Sequence, residues 1–353
     1  MKIAKATEQY ESWLGKHLHL IPEDLEFKHQ QMRLAPFPFL RATYYRWAQT
    51  WEDICGAAAR WVRVLAIGDL HVENFGTWRD VEGRLIWGIN DFDEASRLPY
   101  TNDLIRLGTS VLIAQLSCDL GEAMLSILNG YRDALKARGL PFALAEHHTS
   151  LRLMAVQRLH DPEAYWAKLH ALPDIKNTPP AGAIKAILRM MPERTGIEYR
   201  IAHRVAGLGS LGRERYVAIG EWRGGSIARE AKALAPSACV WAKSAKGSEI
   251  HYQEILEHSV RCRDPFVHVL KRWIVRRLAP DCSRIELSAL PKERDEFRLL
   301  YAMGWETANI HLGSAKPAAL IADFDKRPRG WLLDAARKME KAVRADFEDY
   351  STR

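Results

Sequence analysis

The chain has 353 residues, 47% of them hydrophobic and 27% charged, which excludes a disordered or fibrous protein. At roughly 150 residues per domain, this length suits two domains or one large two-lobed one. The 51 Lys and Arg against 44 Asp and Glu leave a net charge of +7, which favours an anionic partner such as a nucleotide or phosphate. Acidic residues are interspersed nearly everywhere, so a nucleic-acid-binding stripe is not expected. The five cysteines (Cys55, Cys118, Cys239, Cys262, Cys282) are odd in number and lack a C-x-x-C pair. They point to a reducing, cytoplasmic setting rather than a disulfide framework or a cysteine zinc site. The opening MKIAKATEQYESWLG has charges where a signal peptide needs an apolar core. The best apolar run, 104–116, is interrupted by Arg106 and Gln115, so no membrane span is expected.

In chain order, the spacing predicts helices over 8–18 and 41–59 with a polar break between them. Within that break Pro36 and Pro38 predict an extended approach. RVLAIG (63–68) predicts a strand; a turn at 80–83 and a second strand over 84–90 follow. Helical spacing resumes over 102–138 and continues to about 157, and 172–182 is the best linker. Strands are predicted at 200–205 and 215–219 around a glycine-rich turn, with Gly224-Gly225 making another turn. Two more strands are expected at 273–278 and 283–287, then helices at 292–312 and 330–349. The chain thus divides into a helical part with two short strands (1–172), a strand-rich part (183–290) and closing helices (291–353). Its class is α+β.

The sharpest chemical signal is GDLHVENFG (68–76) followed by GINDFDEA (88–95). Asp69 and Asn74 lie on a loop directly after a strand, and Asp91 ends the next strand. Phosphoryl transfer from a nucleotide needs such a set: one carboxylate to accept a hydroxyl proton, an amide oxygen and a second carboxylate to hold Mg²⁺. D-x-x-x-x-N followed by D-F is the spacing of a kinase catalytic loop and its metal-binding aspartate. A transition-metal site built from His71, Asp91, Asp93 and Glu94 is less favoured, because metal hydrolases usually bring several imidazoles together. Asp93 and Glu94 are either secondary metal ligands or solvated loop charges. A second D-F-D, Asp323 to Asp325, reads as a surface turn.

In GLGSLGRERYVAI (207–219), Gly207, Gly209 and Gly212, with Ser210 between, suit a hairpin whose backbone approaches phosphate oxygens. A dinucleotide-binding fold would need a helix after the glycines, whereas RERYVAI is strand-like. Lys232, twenty residues after Gly212, is the candidate to contact the phosphates from a third strand, although AREAKAL around it favours helix. Its acidic partner is expected to be Glu254 or Glu257.

GDLHVENFG with INDFDEA resembles the H-G-D-x-x-x-x-N and I-D-[FW] pair of aminoglycoside and choline phosphotransferases, within the protein-kinase-like superfamily. It resembles more closely a bacterial family of unknown function with protein-kinase-like motifs. That family's K-x-x-x-M-x-x-x-P-F-x-F-[LF]-R element appears as KHQQMRLAPFPFLR (28–41), its aspartate box as DLIRL from Asp103, and its lysine before P-S-A as Lys232. The resemblance runs over about 28–312 and implies roles. Asp69 becomes the catalytic aspartate, Asn74 and Asp91 Mg²⁺ ligands, Lys232 the phosphate anchor, and Asp103 a brace for the catalytic loop. Ile67 stands where the phosphotransferases have histidine. The motif order is also reversed, since the acidic loop precedes the glycine hairpin by about 135 residues. A circularly permuted, two-lobed protein-kinase-like fold would reconcile this. In it the 296–313 helix, ending at His311, would pack beside the 63–68 strand. The function so implied is ATP- and Mg²⁺-dependent phosphoryl transfer to a hydroxyl-bearing substrate. AMP transfer on the same fold, or a nucleotide-binding pseudokinase scaffold, are the alternatives. Arg41, His71 and Glu73 are candidates either for lining the acceptor site or for structure alone.

Overall fold

The computed structural model describes residues 1–352 apart from 116–117, 146–147, 158, 176–177, 194–195 and 283–294. Helix α1 (Ile3–Leu14) buries Ile3, Ala6, Tyr10 and Leu14 along one stripe. Helix α2 (Pro22–Met32) occupies the predicted polar break. It starts on a proline, has Glu23 and Asp24 in its first turn, and buries only Asp24, Lys28 and Met32. Its polarity hid it from a periodicity argument. The PFPFLRA segment, expected to be extended, is helix α3 (Pro36–Ala42). Both prolines fall in its first turn, where backbone N–H groups have no helical partner, and only Ala35 ahead of them is extended. Helix α4 (Tyr44–Cys55) buries a stripe of Tyr44, Trp47, Trp51 and Cys55.

The two strands expected next do not pair with each other. Strand β1 (Arg63–Ala66) pairs antiparallel with β4 (Ser96–Pro99), and β2 (Phe75–Arg79) pairs with β3 (Leu85–Ile89), to which β5 (Phe142–Ala143) adds. The helical spacing over 102–138 corresponds to two helices, α5 (Thr101–Ile113) and α6 (Leu120–Ala137). Gln115 takes a positive φ between them, and Asp119 caps α6 by accepting from Glu122 N–H. Helices α7 (Thr149–Val156), α8 (Pro162–His170) and α9 (Ala181–Arg189) follow.

Strands β6 (Tyr199–His203), β7 (Arg215–Trp222) and β8 (Gly225–Ala233) lead through helices α10 (Ala238–Ala242) and α11 (Tyr252–His258) to β9 (His268–Leu270) and β10 (Trp273–Leu278). They form one antiparallel sheet in the order β6-β7-β8-β10-β9. Arg223 and Gly224, both at positive φ, make the two-residue β7–β8 turn. The helix-favouring AREAKAL run is strand here because β8 is central, laddered to β7 on one side and β10 on the other. The 283–287 strand expected from sequence lies outside the described residues.

Helix α12 (Asp295–His311), α13 (Pro317–Phe324) and α14 (Trp331–Ser351) close the chain. The second D-F-D, expected as a surface turn, straddles the end of α13, where Asp323 accepts from Tyr100 and Arg327. Helix α12 packs closely on α6, and α14 packs on α5. The α6–α12 crossing is set by two glycines. A Cβ on Gly130 would sit 1.9 Å from Tyr301 O, and one on Gly304 2.0 Å from Ile127 O. Gly304→Ala therefore forces the helices apart and is expected to destabilise by about 3 kcal/mol, at the upper end for overpacking, read as a lowered urea midpoint at unchanged slope. An unchanged midpoint would mean the helices do not cross this closely.

The described elements thus form a mixed α+β protein with several antiparallel sheets. One continuous core runs from Ile3 to Tyr350 and includes Ala233 and Ile274 of the large sheet. A smaller cluster lies between that sheet and α8, joining Leu169 to Ala202, Val217, Ile219, Ala228 and Leu278. Among the described residues no helix is long and apolar enough to cross a membrane.

Candidate active site

The chain leaves β1 through Ile67 and Gly68. Gly68 has φ +82°, and a Cβ there would lie 2.3 Å from Glu94 O, so only glycine fits. The turn is held from α5 by Asp103, wholly buried, whose carboxylate accepts from Ile67 N–H (2.7 Å) and Gly68 N–H (3.0 Å). His311 at the end of α12 donates Nε2–H to the same carboxylate at 2.9 Å, while its Nδ1 meets Tyr131 Oη at 2.9 Å. The turn just after α12 also reaches β1, with Ser314 Oγ accepting from Leu65 N–H.

Asp69 follows this braced turn. Arg106, from the next turn of α5, donates through Nε and Nη2 to Asp69 Oδ1. Arg106 is wholly buried and lies over the Tyr44 and Trp47 rings, each 4.9 Å from its guanidinium carbon. Burial pushes the Asp69 carboxyl above its ordinary range, against the pull of Arg106. Asn74 Nδ2 donates to the carbonyls of Asp69 and Asp91, both at 3.2 Å, and so ties the two acidic segments together.

Lys232 on β8 reaches those segments from the large sheet. Its Nζ lies 3.3 Å from both carboxylate oxygens of Asp91 and 2.7 Å from Asp93 Oδ2. Burial acts to raise the Asp91 carboxyl, but Lys232 and then Arg276 outweigh it and hold it well below the usual range. Asp93, beside that charge, moves upward through burial and Asp91. Asp93 and Glu94 are not solvated loop charges: Arg213 bridges them, and Glu94 Oε2 accepts from Ala238 N–H at 2.6 Å. Neither glutamate expected beside Lys232 is its partner. Glu254 pairs with Arg97 and His251, and Glu257 accepts from Gln253, whereas Lys232 is taken by Asp91 and Asp93.

The glycine hairpin reaches the same place. Gly207 and Gly212 both have positive φ. Between them Gly209 comes so close that a Cβ would be 3.1 Å from Arg41 O and 3.5 Å from Asp69 Oδ2. Ser210 is engaged within the hairpin: its N–H and hydroxyl donate to Gly207 O, and Arg215 donates to its oxygen at 2.8 Å. The resulting cleft, about 670 Å³ counted to its open mouth, is lined by Asp69, Asn74, Asp91, Gly209, Lys28 and Arg41 among others.

Lys28 was not singled out for chemistry by sequence reasoning; its only signal was its place in the KHQQMRLAPFPFLR element. It is 2% exposed, its Nζ is 3.5 Å from Gly209 O, and burial lowers its pKa to about 8 despite the nearby Glu11 carboxylate. Arg41 pairs with Glu73, and His71 sets its ring edge-on to Phe37 at 6.2 Å. Among the described residues no group of three or more His, Cys, Asp and Glu gathers as a metal-binding cluster.

A family model described as "Uncharacterized protein conserved in bacteria (DUF2252)" matches residues 20–160, which hold the acidic loops and the DLIRL box but not the glycine hairpin or Lys232. No curated protein and no solved structure matches the chain.

Proposed function

We propose that this chain is an ATP- and Mg²⁺-dependent phosphotransferase acting on a hydroxyl group, built as a circularly permuted, two-lobed protein-kinase-like fold. One observation carries the reading. Gly209, from the turn between the first two strands of the large sheet, overhangs Asp69, while Lys232 from the third strand reaches Asp91. A glycine turn over the phosphates, a third-strand lysine and a D-x-x-x-x-N loop with a following aspartate are the working parts of such enzymes.

The donor set suits Mg²⁺. Asn74, Asp91 and Asp93 offer hard oxygens, and the buried Asp93 Oδ1 has no partner within the protein. One or two carboxylates are ordinary for this ion, which completes its shell with waters and substrate phosphates. When bound, it would neutralise charge on the triphosphate. Lys232 would hold the phosphates beside it. Asp69, with Oδ1 engaged by Arg106, keeps Oδ2 on the Gly209 side to take or orient the acceptor proton, and its raised proton affinity favours that role. His311 brings an imidazole to the Asp103 brace, which offsets the loss of histidine at position 67.

The decisive test offers the protein γ- or α-labelled ATP with Mg²⁺ and a broad panel of alcohols, sugars, lipid head groups and protein hydroxyls. Label leaving the γ-position for an acceptor is the expected result. Transfer from the α-position alone would mean AMP transfer. Immobile label in both arms, with ATP still bound, would leave a nucleotide-binding scaffold.

A further inference from the structure

Side chains alternate between the faces of a strand, so Lys232, Glu230 and Ala228 of β8 lie on one side of the large sheet. Their partners in register add Arg215, Val217 and Ile219 from β7 and Ile274, Arg276 and Leu278 from β10, and Ala202 of β6 sits opposite Val217. This side faces the acidic loops, because Lys232 reaches Asp91 and Asp93 from it. The chemistry changes along it. Lys232 stands at the end nearest the glycine turn. The buried Glu230 follows, held by Arg204 and Arg215. Farther out, Ala228 lies roughly 13 Å from Lys232 at four residues of strand rise. There it joins Ala202, Val217, Ile219 and Leu278 in an apolar patch.

Helix α8 covers that patch. Leu169 is its one buried side chain and belongs to the cluster, and Tyr165 and Trp166 pack against it half-buried. Just ahead of α8, His160 N–H donates at 3.0 Å to the carbonyl of Pro280, two residues beyond Leu278. Just after α8, Arg200 of β6 donates to the carbonyls of His170 and Leu172 and to Asp174, and Ile175 N–H meets Ile201 O. The segment following α8 is thus tied to an edge strand, whereas the helix itself rests on the sheet through one leucine and two rings.

A nucleotide with its phosphates between the glycine turn and Lys232 extends away from that turn along the same face. Its base is a flat ring that needs an apolar wall. The patch supplies such a wall, and Leu169, Tyr165 and Trp166 already fill it. We propose, on the footing of the phosphotransferase reading, that α8 is a plug seated in the base-binding part of the ATP cleft. A nucleotide docks fully only when α8 swings off the sheet on its tether to β6. With α8 seated, the phosphates bind and the base contributes little. The apparent affinity for ATP is then the intrinsic one reduced by the small fraction of molecules that are open.

The test compares, by calorimetry on the full chain at matched free Mg²⁺, ATP with inorganic tripolyphosphate, which has the phosphates but no base. The wild type should bind the two with similar affinity. The double variant Trp166→Ala, Leu169→Ala should bind ATP at least tenfold more tightly and tripolyphosphate as before. An unchanged ATP affinity in that variant would overturn the plug and leave the phosphotransferase reading standing. So would a wild type that strongly prefers ATP and loses that preference in the variant, because α8 would then be a wall of the base site. Neither ligand binding either protein would overturn both readings together. Should the double variant fail to fold, hydrogen exchange on the wild type decides the matter. Saturating ATP with Mg²⁺ should speed exchange of the α8 amides relative to tripolyphosphate, and equal or slower exchange would refute the plug.

Discussion

Asp69→Asn is expected to lower transfer by a factor of about 10² to 10⁴, the usual range for loss of a proton-transferring side chain, while Mg²⁺-ATP still binds. Asparagine keeps an oxygen for Arg106, so that buried guanidinium retains a partner and the braced turn stays in place. Asp91→Ala should behave in the opposite way. It removes a hard-oxygen ligand, so metal-dependent nucleotide binding disappears and turnover falls with it. Calorimetry with and without Mg²⁺, run beside a turnover assay, separates the two variants. Full activity in Asp69→Asn would remove it as the proton acceptor. Undiminished Mg²⁺-ATP affinity in Asp91→Ala would remove the metal assignment.

The second large effect concerns stability alone. Asp103→Ala should destabilise the protein by about 3–5 kcal/mol, the usual result of removing one partner from a buried charged network. The carboxylate receives two backbone N–H groups and an imidazole, all far from water, and alanine leaves every one of them unmet. Urea unfolding measures this without any assay of activity. A loss below about 1 kcal/mol would mean that water reaches the turn and that the brace is dispensable.

These residues were legible to different degrees, and the reasons are physical. Asp69, Asn74 and Asp91 stand within short runs whose spacing is fixed by a loop and a hairpin, so local sequence carried them. Arg106 sits three residues beyond Asp103 in the same box, yet nothing local says that its guanidinium turns toward Asp69. Lys232 lies in a helix-favouring run that becomes strand only because two neighbouring strands ladder to it. The same limit explains Glu254 and Glu257, whose partners Arg97, His251 and Gln253 are set by tertiary packing and not by distance along the chain from Lys232. Pro36 and Pro38 misled for a different reason: a proline forbids the helix interior, not the first turn. Periodicity reports which face is buried, and it cannot report against what.

The distance along the chain between Asp103 and His311, 208 residues, also sets a timetable. At synthesis rates of about 5–20 residues per second, roughly 10–40 s pass between the emergence of the carboxylate and that of the imidazole. For that interval the turn before Asp69 lacks its α12 partner, and β1 lacks the Ser314 contact. Ribosome-bound chains arrested before residue 311 should therefore be cut by protease near β1, whereas released full-length chains resist. The acidic loop is then held in its final form only after the His311 segment, made far later, has emerged.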